Sequence, residues 1–138
     1  MDSQFTIVIA DDHPLFRGAL YQAVHMAIDD ARLLEADSID SLSHLLDEHP
    51  DVDLLLLDLK MPGANGFEGL AYLRGHHPDL PIVVVSASED PAIIQQVLRL
   101  GALGFIPKSV PMKELVSALN TVIGGDNWVP EGISLHPC

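Results

Sequence analysis

Cysteine is nearly absent from this chain of 138 residues, which has a single one, Cys138, at its last position. One cysteine excludes an intrachain disulfide framework and fits a reducing compartment. The fold must therefore rest on its hydrophobic core, and 48% of the residues are hydrophobic. A chain of this length and composition can bury a core without a structural metal, and it fits one domain.

Basic residues are scarce as well. The chain has 7 Lys and Arg against 20 Asp and Glu, a formal net charge of −13. Because nucleic-acid binding depends on Lys and Arg neutralising phosphates, we expect no direct DNA binding by this chain. No apolar run approaches the length of a membrane span, and no signal-like segment opens the chain. We therefore expect a cytoplasmic protein with no membrane segment.

Strand-like and helix-like segments alternate five times along the chain. Short apolar runs rich in β-branched residues or leucine predict strands at 5–10, 32–36, 52–57, 81–86 and 103–106. Apolar residues at helical spacing predict helices near 14–24, 39–49, 67–74, 91–100 and 111–123. This order predicts an α/β fold, a doubly wound five-stranded parallel sheet with five helices. The four leucines at 54–57 favour a central strand covered on both faces.

Proline and N-capping residues indicate where helices begin, and glycine and proline indicate where the fold ends. Pro14 suits a first helical turn, where its missing N–H costs nothing. Either Asp37 or Ser38 could cap the second helix. The residues predicted to form the apolar face of the first helix are Leu15, Phe16, Ala19, Leu20, Ala23 and Val24. The Gly- and Pro-containing segment 124–138 is either a terminal extension or a linker cut short.

Polar side chains follow the predicted strands at their carboxyl ends. Asp11 and Asp12 follow the first strand and Asp58 the third, while Ser86 ends the fourth and Lys108 follows the fifth. In open α/β sheets, ligands bind at this edge, where the winding reverses. The sequence therefore predicts a site containing three acids, a hydroxyl and a lysine. Taken singly, each has a plainer interpretation: Asp11 as a helix cap, Ser86 as an ordinary strand end, Lys108 as a surface lysine.

Three neighbouring carboxylates need a partner of opposite charge. At about 5 Å and an effective dielectric near 20, each pair repels by about 3 kcal/mol, so the acids must raise a pKa or hold a cation. Carboxylates favour a hard divalent ion, with Mg²⁺ usual where phosphate also binds. Such an ion could hold one phosphoryl oxygen while Lys108 and Ser86 hold others. Asp58 would then be the nucleophile that accepts the phosphoryl group.

At these residues the sequence resembles the receiver domain of two-component response regulators. The segment 54–66 resembles the phosphorylation loop of that family, and 101–108 its fifth strand with the trailing lysine. The resemblance implies the flavodoxin-like receiver fold with strand order 2-1-3-4-5. It also implies that Asp58 is the phosphoacceptor, that Asp12 binds Mg²⁺ directly and Asp11 through water, and that the main-chain carbonyl of Lys60 completes the protein ligands.

The same resemblance implies a switch and its partners. Ser86 and Phe105 match the family's hydroxyl and aromatic switch pair, which moves when the acceptor is phosphorylated. The donor would be a sensor histidine kinase, and phosphorylation would favour a homodimer. Receivers catalyse their own phosphorylation and dephosphorylation, so we expect a signalling switch and not a metabolic enzyme.

Two further segments, 11–17 and 124–130, resemble the LuxR-type (NarL/FixJ-like) subfamily, whose members carry a C-terminal helix-turn-helix domain. We therefore expect residues 1–124 to form the receiver and 125–138 to be a tail or a truncated linker to an output domain absent from this chain. A stand-alone receiver is the alternative. Two departures from the family pattern are Ser109, where many receivers have proline after a cis bond, and the basic Lys60. A cis bond to serine would cost about 3 kcal/mol, so the sequence leaves the geometry of that loop open.

Three rival interpretations remain. A haloacid-dehalogenase-like phosphatase would normally carry a second aspartate at the position of Lys60. A nucleotide-binding module would carry a Gly- or Ser/Thr-rich loop where Asp11 and Asp12 stand. A receiver that acts only as an interaction domain would be expected to lack one of the site residues. The seven histidines are interpreted as surface residues and not as a zinc site, and His13 as lining the rim of the site without a catalytic role.

Overall fold

A computed structural model describes residues 5–61 and 67–130. The strands are β1 Phe5–Ala10, β2 Ala31–Ala36, β3 Leu54–Asp58, β4 Ile82–Ser86 and β5 Gly104–Pro107. The helices are α1 Pro14–Ala27, α2 Ile39–Glu48, α3 Phe67–His76, α4 Pro91–Arg99 and α5 Met112–Ile123. The predicted alternation of strand and helix is confirmed, with boundaries that move by a few residues.

The five strands form one parallel sheet in the order β2-β1-β3-β4-β5, as the resemblance implied. The register matches the strands at their carboxyl ends: Ala10 lies opposite Leu57, Asp58 opposite Val85, and Ser86 opposite Pro107. The residues that follow β1, β3 and β5 therefore leave the sheet along one edge.

Two hydrophobic layers cover the two faces of the sheet. Alternate residues of the central strands point to opposite faces, as the period of a strand requires. One layer joins Ile7 and Leu56 to α1 and α5, and the other joins Val8 and Leu57 to α2, α3 and α4. Every residue of β3 and β4 is buried. A sheet covered on both faces explains why the leucine run is continuous and does not alternate with polar residues.

Capping residues set the helix starts. Pro14 is the first residue of α1, as predicted. Ser38, and not Asp37, caps α2: its hydroxyl accepts a hydrogen bond from the Ser41 N–H at 3.1 Å, in a capping box. Asp90 caps α4 by accepting from the Ala92 N–H at 2.9 Å.

The predicted apolar face of α1 is wrong at Leu15, whose surface is 92% exposed. Leu20, Ala23 and Val24 are the buried residues of the helix. At roughly 100° per residue, Leu15 lies about 140° around the helix from Leu20, which turns it away from the sheet. Apolar spacing identified the helix correctly but assigned one residue too many to its buried face.

Trp128 extends the sheet beyond β5. Its N–H donates to the Leu103 carbonyl at 3.3 Å, and its carbonyl accepts from the Phe105 N–H at 3.1 Å, which forms a parallel bridge with Gly104. A Cβ on Gly104 would lie 2.5 Å from the Trp128 carbonyl oxygen, so this position has no room for a side chain. Part of segment 125–138 thus packs on the outer edge of β5, while its role as a linker stays a prediction.

Among the described helices, none combines the length and the apolar character that crossing a membrane requires.

Candidate functional site

Asp58 is the last residue of β3, and its carboxylate is held from two sides. The residue is 1% exposed. Its Oδ1 accepts a hydrogen bond from the Lys60 N–H at 3.0 Å, within a turn in which the Met61 N–H lies 3.3 Å from the Asp58 carbonyl. Its Oδ2 lies 3.1 Å from Lys108 Nζ. β3 places the carboxylate in the site, and the turn after β3 fixes its orientation.

Asp11 is fully buried at the end of β1. Its N–H donates to the Ala36 carbonyl at 3.1 Å, which continues the pairing with β2. Its Oδ1 accepts from the His13 N–H at 2.7 Å, and α1 has no side-chain cap. The interpretation of Asp11 as the cap of α1 is therefore wrong. Asp12 is placed beside it with its side chain 34% exposed, on the solvent side of the site.

Lys108 reaches into the site from the segment after β5. Its N–H donates to the Ser86 carbonyl at 2.7 Å, and its ammonium lies 3.0 Å from Asp11 Oδ2 and 3.1 Å from Asp58 Oδ2. The side chain is 14% exposed, so the interpretation as a surface lysine is wrong. The Lys108–Ser109 peptide bond is trans, since the described chain has no cis bonds.

Ser86 and Phe105 lie where the pattern predicted, on β4 and β5. Ser86 is 2% exposed, and its hydroxyl accepts from the Ser88 N–H at 3.1 Å. The ring of Phe105 is fully buried in the layer formed with α2, α3 and α4. Both side chains therefore connect the site edge to the core, and neither faces open solvent.

His13 lies closer to the acids of the site than the sequence predicted. Its Nδ1 lies 3.2 Å from Asp11 Oδ1, 3.4 Å from Asp12 Oδ1 and 3.3 Å from Asp58 Oδ2. The same nitrogen lies 3.1 Å from Lys108 Nζ. The available signal was its position directly after Asp11-Asp12 and directly before the proline that begins α1.

The carboxylates fit a bound divalent cation. Asp11 Oδ2 is buried and makes no hydrogen bond, although Lys108 Nζ approaches it within ion-pair distance. The distance indicates attraction, and the missing hydrogen bond indicates that the lysine leaves part of the acceptor's capacity unused. Ligand atoms from Asp11, Asp12, His13 and Asp58 all lie within 4.8 Å of one another. Three acids face one lysine, so this acidic cluster is typical of a receiver metal site.

Sequence comparison identifies the family. The sequence model of the family described as "Response regulator receiver domain" matches residues 7–120 of this chain. The chain is 40% identical over 129 residues to the glycerol metabolism activator of Pseudomonas putida, covering 94% of this chain and 58% of that protein. It is 36% identical over 129 residues to the nitrate/nitrite response regulator protein NarL of Escherichia coli K12, covering 94% and 59%. The chain thus spans less than two thirds of these curated relatives.

Solved structures agree. The isolated REC domain of RcsB from Salmonella enterica serovar Typhimurium superposes with a TM-score of 0.84 at 28% identity, covering 94% of this chain and 95% of that one. A LuxR family DNA-binding response regulator from Silicibacter pomeroyi gives a TM-score of 0.80 at 28% identity, covering 92% and 98%. The haloacid-dehalogenase and nucleotide-binding interpretations are thereby overturned. The chain belongs to the response-regulator receiver domain family, and its relatives are LuxR-type regulators of the NarL/FixJ group.

Proposed function

We propose that this receiver accepts a phosphoryl group on Asp58 from a sensor histidine kinase, in a reaction that requires Mg²⁺. The observation that carries the proposal is the environment of the Asp58 carboxylate. It is buried at a strand end, oriented by the Lys60 N–H at 3.0 Å, and joined to Lys108 at 3.1 Å. A carboxylate in this position is a nucleophile with its charge-neutralising groups already in place.

The acids around Asp58 supply the metal ligands. Asp12 and Asp58 would bind Mg²⁺ directly, Asp11 would act through water, and the Lys60 main-chain carbonyl would complete the set. The ion would neutralise charge on the transferring group. Asp11 Oδ2, buried without a hydrogen bond, supports this assignment because a hydrated cation would satisfy it.

Phosphoryl transfer itself needs little covalent chemistry from the protein. The bond between phosphorus and a kinase histidine nitrogen breaks, its electron pair returns to the imidazole, and a new P–O bond forms to Asp58. Lys108 shifts its ammonium from the carboxylates toward the phosphoryl oxygens, where the negative charge now lies. The work of the site is to position the acceptor and neutralise charge.

The proposed switch uses Ser86 and Phe105. Ser86 ends β4 with its hydroxyl at the site edge, bonded only locally to Ser88 among the hydrogen bonds described, so it can turn toward a phosphoryl oxygen. Phe105 lies on the neighbouring strand, and its ring would repack as the β4 end moves. This is a population shift between two packings, biased by one new charged group.

The relatives support a proposal for the output that this receiver controls. They include a glycerol metabolism activator and a nitrate/nitrite response regulator, and each is longer than this chain. We infer that the receiver controls transcription through a C-terminal LuxR-type DNA-binding domain, and that phosphorylation favours a homodimer in the cytoplasm. A stand-alone receiver, or one that binds partners without phosphorylation, is the alternative.

Intact mass after incubation with acetyl phosphate tests the proposal. We expect a gain of one phosphoryl group that requires Mg²⁺ and is absent from Asp58→Asn. Asp47→Asn removes an exposed acid from α2 and is the matched control, which should be phosphorylated like the wild type. A folded wild type that neither gains mass nor binds beryllofluoride would favour the phosphorylation-independent interaction domain.

A further inference from the structure

His13 is the one nitrogen donor in the acidic cluster formed by Asp11, Asp12, His13 and Asp58. We propose that His13 Nδ1 becomes a ligand when the site holds a divalent ion that favours imidazole, such as Zn²⁺, and that it gives the site an affinity for such ions beyond that of carboxylates alone. The inference rests on the metal site of the proposed function and extends the choice of metal and the ligand set.

The distances around Nδ1 are those between neighbouring ligands of a single ion. Nδ1 lies 3.2–3.4 Å from one oxygen of each of the three carboxylates. Ligands bound at about 2.0–2.2 Å in a tetrahedron are separated by about 3.3–3.6 Å. The four ligand atoms lie within 4.8 Å of one another, so one cation could contact all of them once the carboxylate oxygens move closer together.

The backbone holds His13 in this place. Its N–H donates to Asp11 Oδ1 at 2.7 Å, and its φ and ψ are extended. Pro14 follows at once as the first residue of α1, which restricts the preceding residue to such a conformation. The side chain is 58% exposed, so the ring can reach the cluster while leaving a path from solvent for the ion.

Contacts of both signs surround His13 Nδ1. Lys108 Nζ lies 3.1 Å from it and can only donate, whereas Asp11 Oδ1 lies 3.2 Å from it and can only accept. A single tautomer cannot satisfy both contacts. A metal ion in the cluster would attract the carboxylate oxygens and the Nδ1 lone pair together, and it would replace any hydrogen on Nδ1, because metal binding releases protons from its ligands.

The ligand preference of each metal ion determines whether His13 affects its affinity for the site. Imidazole suits Zn²⁺ and other late transition metals, whereas Mg²⁺ prefers carboxylate, carbonyl and water oxygens. Loss of the imidazole should therefore weaken Zn²⁺ binding and leave Mg²⁺ binding nearly unchanged. That selectivity separates a ligand from a residue that only shapes the rim of the site.

The test is calorimetric titration of the wild type, His13→Ala and His44→Ala with Zn²⁺ and, separately, with Mg²⁺. His44 is exposed on α2 outside the cluster and controls for binding by other histidines. We expect His13→Ala to weaken Zn²⁺ binding by at least about ten-fold, the scale of losing a group that supports a metal. Mg²⁺ affinity should change by less than about two-fold in either variant, since imidazole is a poor ligand for it.

Nitrogen-15 NMR of the histidine side chains gives a second readout. Saturating Zn²⁺ should shift the His13 Nδ1 resonance in the wild type. Equal Zn²⁺ affinity in His13→Ala and wild type, or an unmoved His13 Nδ1 resonance, would overturn the inference. A wild type that binds Zn²⁺ through His13 but shows no Mg²⁺ binding would contradict the proposed function while supporting the role of His13.

Discussion

The main-chain N–H of Phe105 donates a hydrogen bond to the carbonyl of Trp128 at 3.1 Å. Phe105 has its ring in the buried layer, and Trp128 lies in the segment that follows α5. The bond therefore connects the proposed switch residue to the part of the chain that leads toward residue 138. Movement of β5 at Phe105 must be accommodated by this segment.

Trp128 should therefore report activation. It is the single tryptophan of the chain and is half-buried against the layer formed with α1 and α5. Beryllofluoride with Mg²⁺ should change its fluorescence emission in the wild type, because repacking of Phe105 disturbs the bonds around Gly104. Asp58→Asn should show no change. Constant emission despite confirmed beryllofluoride binding would argue against a switch through β5.

Gly104→Ala should destabilise the fold. The added Cβ would lie 2.5 Å from the Trp128 carbonyl oxygen, so backbone must shift, at a cost of about 1–3 kcal/mol. Urea unfolding measures the change. Gly18→Ala is the matched control: Gly18 is exposed in α1 with no atom within 4 Å of the added Cβ, so a gain of about 0.5–1 kcal/mol is expected. Equal stability of Gly104→Ala and wild type would mean that the Trp128 bridge contributes nothing.

Lys108→Met should separate metal binding from phosphoryl binding. The ammonium lies 3.0–3.1 Å from Asp11 and Asp58, so its removal leaves those acids at least as able to bind Mg²⁺. Beryllofluoride affinity should fall by about ten-fold, or about 1.4 kcal/mol, because an oxyanion partner is lost. Calorimetry measures both quantities. Lys113→Met, on the exposed side of α5, should change neither; a parallel loss of Mg²⁺ binding in Lys108→Met would contradict the assigned role.

Lys60→Asn should shorten the life of the phosphorylated state. The Lys60 N–H orients Asp58, and the Lys60 side chain is exposed. We expect a long basic side chain two residues after the acceptor to obstruct water that approaches the phosphoryl group. We expect dephosphorylation to speed up by about three-fold, a barrier change of about 0.7 kcal/mol. Mg²⁺ affinity should be retained because the proposed ligand is the main-chain carbonyl. The decay of intact phosphorylated mass measures the rate, and an unchanged rate would show that the side chain has no influence.

Local sequence patterns were sufficient for the elements and for the residues that lie together at the strand ends. The leucine run before Asp58 identified a strand buried on both faces. Strand ends on one edge brought Asp11, Asp12 and Lys108 together. The same patterns failed at Leu15, since spacing alone does not give the width of a buried helix face. They also left open whether Asp37 or Ser38 caps α2, which depends on the backbone geometry.

By itself, the sequence determined the alternation of strands and helices, the acids at the strand ends and the likeness to receivers, because each depends on residue type and short-range order. The tertiary structure alone decided that His13 Nδ1 meets three carboxylates and that Trp128 bonds on both sides of Gly104. The first contact depends on the rotamer of the His13 side chain, and the second depends on the packing of a distant segment on the sheet edge. Periodicity carries no information on such distances, which exist only once the strands and helices have packed.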